Sequence, residues 1–180
     1  MRASVLLSGR GGQGIVEAGN LLALSFMRAG MWATAVPTYG PQTRGGRVES
    51  AVVASEDPVD DPLPRLYSSV VLADPLALRR IDRLQPGGLL IVNVSLIDPP
   101  RVPGARVVAV DATRIAERAG AAVREPRVLT GIALLGALSG AGAVPREWLV
   151  EAARSRFRDP QLLEANLEAL SAGAVAIHLS

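Results

Sequence analysis

At 180 residues, 49% of them apolar and only 3% aromatic, the chain is long enough for one domain with a core of Val, Leu, Ile and Ala. All 19 basic residues are arginine, the formal net charge is +2, and no arginine run exceeds Arg79-Arg80, so no patch that grips nucleic acid is expected. The chain has no cysteine, which excludes disulfides, thiolate zinc sites and Cys-ligated iron–sulfur clusters on this chain and fits a cytoplasmic location.

In chain order, Ala3–Leu7 reads as a buried strand and Ile15–Arg28 as a helix with Ala18, Leu21, Leu22 and Ser25 on one stripe. Gly30 is a plausible helix stop. Ala33–Val36 reads as a second strand ended by Pro37, and Val48–Ala54 as a third. Glu56–Pro64 carries three prolines and reads as a surface loop. Val70–Ala73 is expected as a fourth strand, Pro75–Leu84 as a short helix, Pro86-Gly87-Gly88 as a turn, Leu89–Val94 as a central fifth strand and Val107–Val110 as a sixth. Helices then follow at Thr113–Ala122, Leu129–Leu138, Arg146–Arg156 and Pro160–Ile177. Alternating strands and helices predict a single three-layer α/β domain over residues 1–180, with a mostly parallel central sheet and a helical C-terminal part. The N-terminus is expected to run into the first strand without a signal segment. The longest apolar stretch, Val128 to Val144, carries four glycines and reads as a buried or interface helix, so no membrane role is expected.

Two loops carry the functional information. Gly9-Arg10-Gly11-Gly12-Gln13-Gly14 lies between a strand and a helix, the arrangement by which α/β proteins bring backbone N–H groups to an anion. It formally fits a dinucleotide fingerprint. The required acidic residue about twenty positions on is missing, because that region reads Ala35-Val36-Pro37-Thr38-Tyr39. Tight packing of the first helix on the sheet would also explain the glycines. Gln13 is the one side chain there that both donates and accepts a hydrogen bond. The second loop, Tyr39-Gly40-Pro41 with Arg44-Gly45-Gly46, holds a phenol and a guanidinium suited to a carboxylate or phosphate. If both loops follow the carboxyl ends of parallel strands, they share one edge and one anionic site.

Catalytic sets are missing. The single histidine, His178, is expected to be incidental, and no Ser/His/Asp set, paired carboxylates or metal-ligand spacing occurs. Asp74 and Asp111 end expected strands, and each either faces the loop edge or caps the following helix. The residues thus describe a binding or interaction domain without catalytic machinery of its own.

Ser8-Gly9-Arg10-Gly11-Gly12-Gln13-Gly14, Glu17-Ala18-Gly19, Leu22-Ala23, and Tyr39-Gly40-Pro41 with Arg44-Gly45-Gly46 closely resemble the gamma subunit of 2-oxoacid:ferredoxin oxidoreductases. Val59-Asp60-Asp61-Pro62, Gly87-Gly88, Leu134-Leu135-Gly136-Ala137-Leu138 and Asn166-Leu167 extend the resemblance over nearly the whole chain. The tyrosine loop looks more like the 2-oxoglutarate and branched-chain types, and the indolepyruvate oxidoreductase beta subunit shares the domain. Where the family often has an asparagine before its late helix, this chain has Leu129-Thr130-Gly131. The resemblance implies partner alpha, beta and ferredoxin-like subunits carrying thiamine diphosphate, Mg and iron–sulfur clusters. It also implies either coenzyme A or a partner subunit at this chain's edge, beside Gly9, Gly11, Gly12, Gln13, Gly14, Tyr39, Arg44, Gly45 and Gly46. A stand-alone nucleotide- or coenzyme A-binding domain, a structural scaffold and a homodimer are the alternatives.

Overall fold

The computed structural model describes residues 2–41 and 45–179. Seven strands form one sheet in the order β2-β3-β1-β4-β5-β6-β7, with β1 Arg2–Arg10, β2 Trp32–Tyr39, β3 Arg47–Ser55, β4 Tyr67–Leu72, β5 Leu84–Asn93, β6 Arg106–Val110 and β7 His178–Leu179. The centre, β1-β4-β5-β6, is parallel, as expected of strands that are buried on both faces. Antiparallel strands border it, the β2–β3 hairpin on one side and β7 on the other.

Because β1 and β2 are both antiparallel to β3, they point the same way. The carboxyl ends of β1, β2, β4, β5 and β6 therefore meet at one edge. In an open α/β sheet that edge is where ligands bind.

Five helices pack on one face: α1 Ile15–Arg28, α2 Ala112–Ala119, α3 Thr130–Gly140, α4 Arg146–Arg156 and α5 Pro160–Val175. Val5, Leu7, Val52, Val71, Ile91 and Val108 meet them there. On the other face Leu6, Val70, Leu72, Leu90 and Val92 lie under Ala77 and Ile81 of the 3₁₀ segment Pro75–Arg83 and under Ile97 and Val102. That third layer is thin. No α-helix forms at Pro75–Arg83: Leu76 and Leu78 are exposed, and Arg80 and Arg83 reach away to Glu49 Oε1 and to the carbonyls of Pro64 and Arg65.

The α1 stripe is as read, with Ala18, Leu21, Leu22 and Ser25 all buried. Its stop is a Schellman turn: Gly30 has φ +84°, and Met31 N donates to Phe26 O at 3.1 Å. Two local expectations change. Pro86-Gly87-Gly88 is a bulge inside β5, since Tyr67 faces Leu84 but Ser69 faces Leu89. Past α5 the chain turns extended, so that His178 pairs with Ala109 on the sheet's far border.

Gly136 and Gly140 of α3 sit against the carbonyls of Leu170 and Ala174 in α5, and Gly173 sits against Ala133 O. The small residues thus serve a helix contact within the chain. Among the described residues no helix is long and apolar enough to cross a membrane.

Candidate functional site

The β1–α1 loop is shaped by its own amide and by a neighbouring helix. Gln13 is 8% exposed; its Oε1 accepts from Arg10 N at 2.8 Å and its Nε2 donates to Ala73 O at 3.3 Å. That side chain ties the loop to β4 while still lining the cleft beside it. Gly9 leaves room for it, because a Cβ there would lie 2.7 Å from Gln13 Oε1. Gly14, with φ +71°, starts α1 directly beneath Val128 O, and Gly131 N donates to Gln13 O at 2.9 Å. Gly9 is thus crowded by Gln13, Ala73 and Ile15, and Gly14 by Val128 of the turn before α3 rather than by the sheet.

What remains for a ligand is narrower than the motif suggests. Gly11 N donates to Gly46 O at 3.0 Å and Gln13 N to Arg10 O at 3.2 Å. Gly12, with φ +96°, has open space at its Cα, and its N–H meets no acceptor among the described residues.

The shared edge expected of the two loops is present. Gly40 N donates to Arg47 O at 2.8 Å, which closes the hairpin turn, and Gly46 lies against Gly11. Tyr39 ends β2 and is 65% exposed. Arg44 lies outside the described residues.

The guanidinium that the structure does place here is Arg10, which is not among the expected site residues. Its Nε donates to Asp74 Oδ2 at 3.1 Å and its Nη1 to Gly45 O at 3.3 Å, and its side chain stays 49% exposed. Asp74 is buried and does both jobs allowed for it, because its Oδ1 also caps the 3₁₀ segment through Leu76 N at 3.1 Å. Arg10 thus joins three segments: the end of β1, the β4 exit and the hairpin turn.

Two more polar groups brace this edge. Asn93 is fully buried where β5 ends. Its Nδ2 donates to Ala73 O and Thr113 Oγ1, both at 2.9 Å, and its Oδ1 accepts from Ala112 N at 3.1 Å. A lone asparagine closing an apolar strand was the visible signal for it. Glu49 is 8% exposed and accepts from Ser8 Oγ at 3.0 Å and Arg80 Nε at 2.5 Å, with Arg47 Nε at 3.3 Å. The hydrogen bond to Glu49 pushes the Arg80 guanidinium pKa upward. Asp111 does not cap α2 with its side chain; it accepts from Ser95 Oγ and meets Arg114 Nε at 3.5 Å.

Beside the glycine loop opens a cleft of about 620 Å³, lined by Arg10, Gly11, Gly12, Gln13, Asp74 and Leu96 on one side and by Thr113, Glu117, Glu125, Pro126, Arg127 and Thr130 on the other. Its volume falls within the ~300–1,000 Å³ of small-molecule sites.

Replacing Asp74 tests the brace. Asp74→Ala removes the cap and frees Arg10, and is expected to cost about 1–2 kcal/mol. Asp74→Asn keeps a capping oxygen and is expected to cost less. Thermal unfolding of the two variants checks the order, and amide exchange at Gly11 reports whether the hairpin turn has come loose.

Comparison with known proteins fits this geometry. The model of the pyruvate ferredoxin/flavodoxin oxidoreductase family matches residues 4–176. An indolepyruvate oxidoreductase subunit IorB of Thermococcus kodakarensis is 30% identical, covering 96% of this chain and 95% of its own length. A 2-oxoglutarate synthase subunit KorC of Methanothermobacter thermautotrophicus is likewise 30% identical, over 96% of this chain and 94% of its own. Among solved structures, the keto/oxoacid ferredoxin oxidoreductase gamma subunit of Geobacter sulfurreducens superposes with a TM-score of 0.77 at 26% identity, covering 99% of both chains. The chain belongs to the pyruvate ferredoxin/flavodoxin oxidoreductase family, as a chain of the gamma-subunit type.

Proposed function

We propose that this chain is the gamma subunit of a 2-oxoacid:ferredoxin oxidoreductase that converts 2-oxoglutarate and coenzyme A to an acyl-CoA and CO2, and that its loop edge meets coenzyme A. The observation that carries the reading is the joined pair of glycine loops over a small-molecule cleft, with the half-exposed Arg10 at its rim.

The residues fit a binding role. Thiolate ligands for an iron–sulfur cluster are lacking, and no group of three or more metal-ligating side chains occurs among the described residues. Thiamine diphosphate with Mg and iron–sulfur clusters on partner subunits supply the decarboxylation and electron-transfer chemistry. This chain's residues bind and orient. Gly12 N–H, which meets no acceptor among the described residues, and the half-exposed Arg10 suit the phosphates of coenzyme A. Arg44, which lies outside the described residues, would be a second guanidinium for them. Trp32 and Tyr39, at the two ends of edge strand β2, are exposed apolar surface that a partner subunit would cover.

Indolepyruvate is the second reading of the substrate, because relatives named as indolepyruvate and as 2-oxoglutarate enzymes match this chain at the same identity. Coenzyme A-dependent acceptor reduction by the assembled complex, measured over a panel of 2-oxoacids, separates them. The expected result is a kcat/KM for 2-oxoglutarate at least tenfold above those for indolepyruvate and pyruvate. Indolepyruvate ranking first would establish the second reading.

A further inference from the structure

The far wall of the cleft carries a group that an anion site leaves unused. Thr130, the first residue of α3, is 1% exposed and lines the cleft. Its hydroxyl meets no hydrogen-bond partner among the described residues. Other polar side chains on helices here do find one in the preceding turn: Ser25 Oγ donates to Leu22 O at 2.7 Å and Asn166 Nδ2 to Leu162 O at 2.8 Å. Across the cleft, the Thr113 hydroxyl is taken by Asn93. A hydroxyl that opens on a cleft with no protein partner is free to hydrogen-bond an occupant.

The walls decide the chemistry of that occupant. Arg10 is engaged by Asp74. Of the other charged residues lining the cleft, Glu117 and Glu125 stand against Arg127 alone. Two carboxylates against one guanidinium disfavour a phosphate or carboxylate inside. Leu96 and Pro126 add apolar surface. An uncharged chain fits both features when its amides donate and accept and methylenes separate them.

We propose that the Thr130 hydroxyl hydrogen-bonds an amide of the pantetheine arm of coenzyme A, with the arm lying in the cleft and the phosphates outside at Arg10. This rests on the coenzyme A reading of the loop edge. A peptide segment of a partner subunit carries the same amides. The arm is the occupant favoured here, because Thr130 adjoins the glycine loop, through Gly131 N and Gln13 O, at the edge where the phosphates dock.

The test uses the assembled complex carrying Thr130→Val, which keeps the shape and removes the hydroxyl, and Thr130→Ser, which restores it. Thr130→Val raises the KM for coenzyme A about three- to tenfold, as expected for one lost hydrogen bond, with the effect on KM rather than kcat. Thr130→Ser recovers most of it. Inhibition by pantetheine weakens by the same factor in Thr130→Val, while inhibition by adenosine 3′,5′-bisphosphate does not. A KM within twofold of the parent in Thr130→Val, while Arg10→Ala raises it, overturns this inference and leaves the coenzyme A reading standing. A KM that neither variant moves overturns both. Loss of a partner subunit from the Thr130→Val complex, with normal KM in what remains assembled, assigns the hydroxyl to a peptide segment and overturns the inference.

Discussion

Gly14→Ala is expected to lower stability by about 3 kcal/mol or more, which for a domain of this size is a fall in Tm of about 6–12 °C. Two costs add. An L residue at φ +71° pays about 1–2 kcal/mol for the left-handed conformation. A Cβ at that position would also lie 1.9 Å from Val128 O, so either the turn before α3 moves or the start of α1 does. Overpacking of this kind costs about 1–3 kcal/mol. Gly12→Ala is the control, because Gly12 has φ +96° but open space, and it should show the conformational cost alone. Thermal unfolding of the two variants side by side checks this. Equal losses would mean that the contact between the glycine loop and the start of α3 carries no weight.

Gly136→Ala is expected to reverse the usual sign of a glycine-to-alanine change in a helix. In an uncrowded helix interior the substitution gains about 1 kcal/mol. Here the added Cβ would lie 2.2 Å from Leu170 O and 3.0 Å from Ala174 N of α5. Helix α3 is apolar on all sides and α5 packs along it, so neither can yield without opening the core. A net loss of about 2 kcal/mol is expected, measured as a shift in the denaturant midpoint without a change in slope. A gain in stability would show that α3 and α5 are further apart than described.

Local pattern carried much of the fold. Helix α4 matches its expected bounds, Arg146–Arg156, and the α1 stripe is buried as read, because both follow from spacing within one turn of chain. Strand order did not follow from spacing. Nothing within Val48–Ala54 says that it inserts between the first two strands and runs against both, since that depends on partners far away in sequence. The shared edge of the two loops survives this, because two reversals restore the direction of β2.

The site was legible as a place but not as a set of contacts. A glycine motif announces close approach without saying to what, and here Val128, Gly46 and Gln13 itself take up much of it. Arg10 and Asp74 escaped because their meaning is mutual. An arginine between glycines and an aspartate at a strand end are common apart, and become a brace only when β1 and β4 pair. Thr130 looks like an ordinary residue at the start of an apolar helix until the cleft it lines is in view.

The most direct test of the account is anaerobic purification of the tagged chain from its own organism, with mass spectrometry of the proteins that follow it and an assay of coenzyme A-dependent acceptor reduction. The account predicts co-purifying thiamine diphosphate-binding and iron–sulfur chains, 2-oxoacid oxidation by the recovered complex, and none by this chain alone. Recovery of the chain by itself at low salt, with no such activity in the eluate, would contradict it.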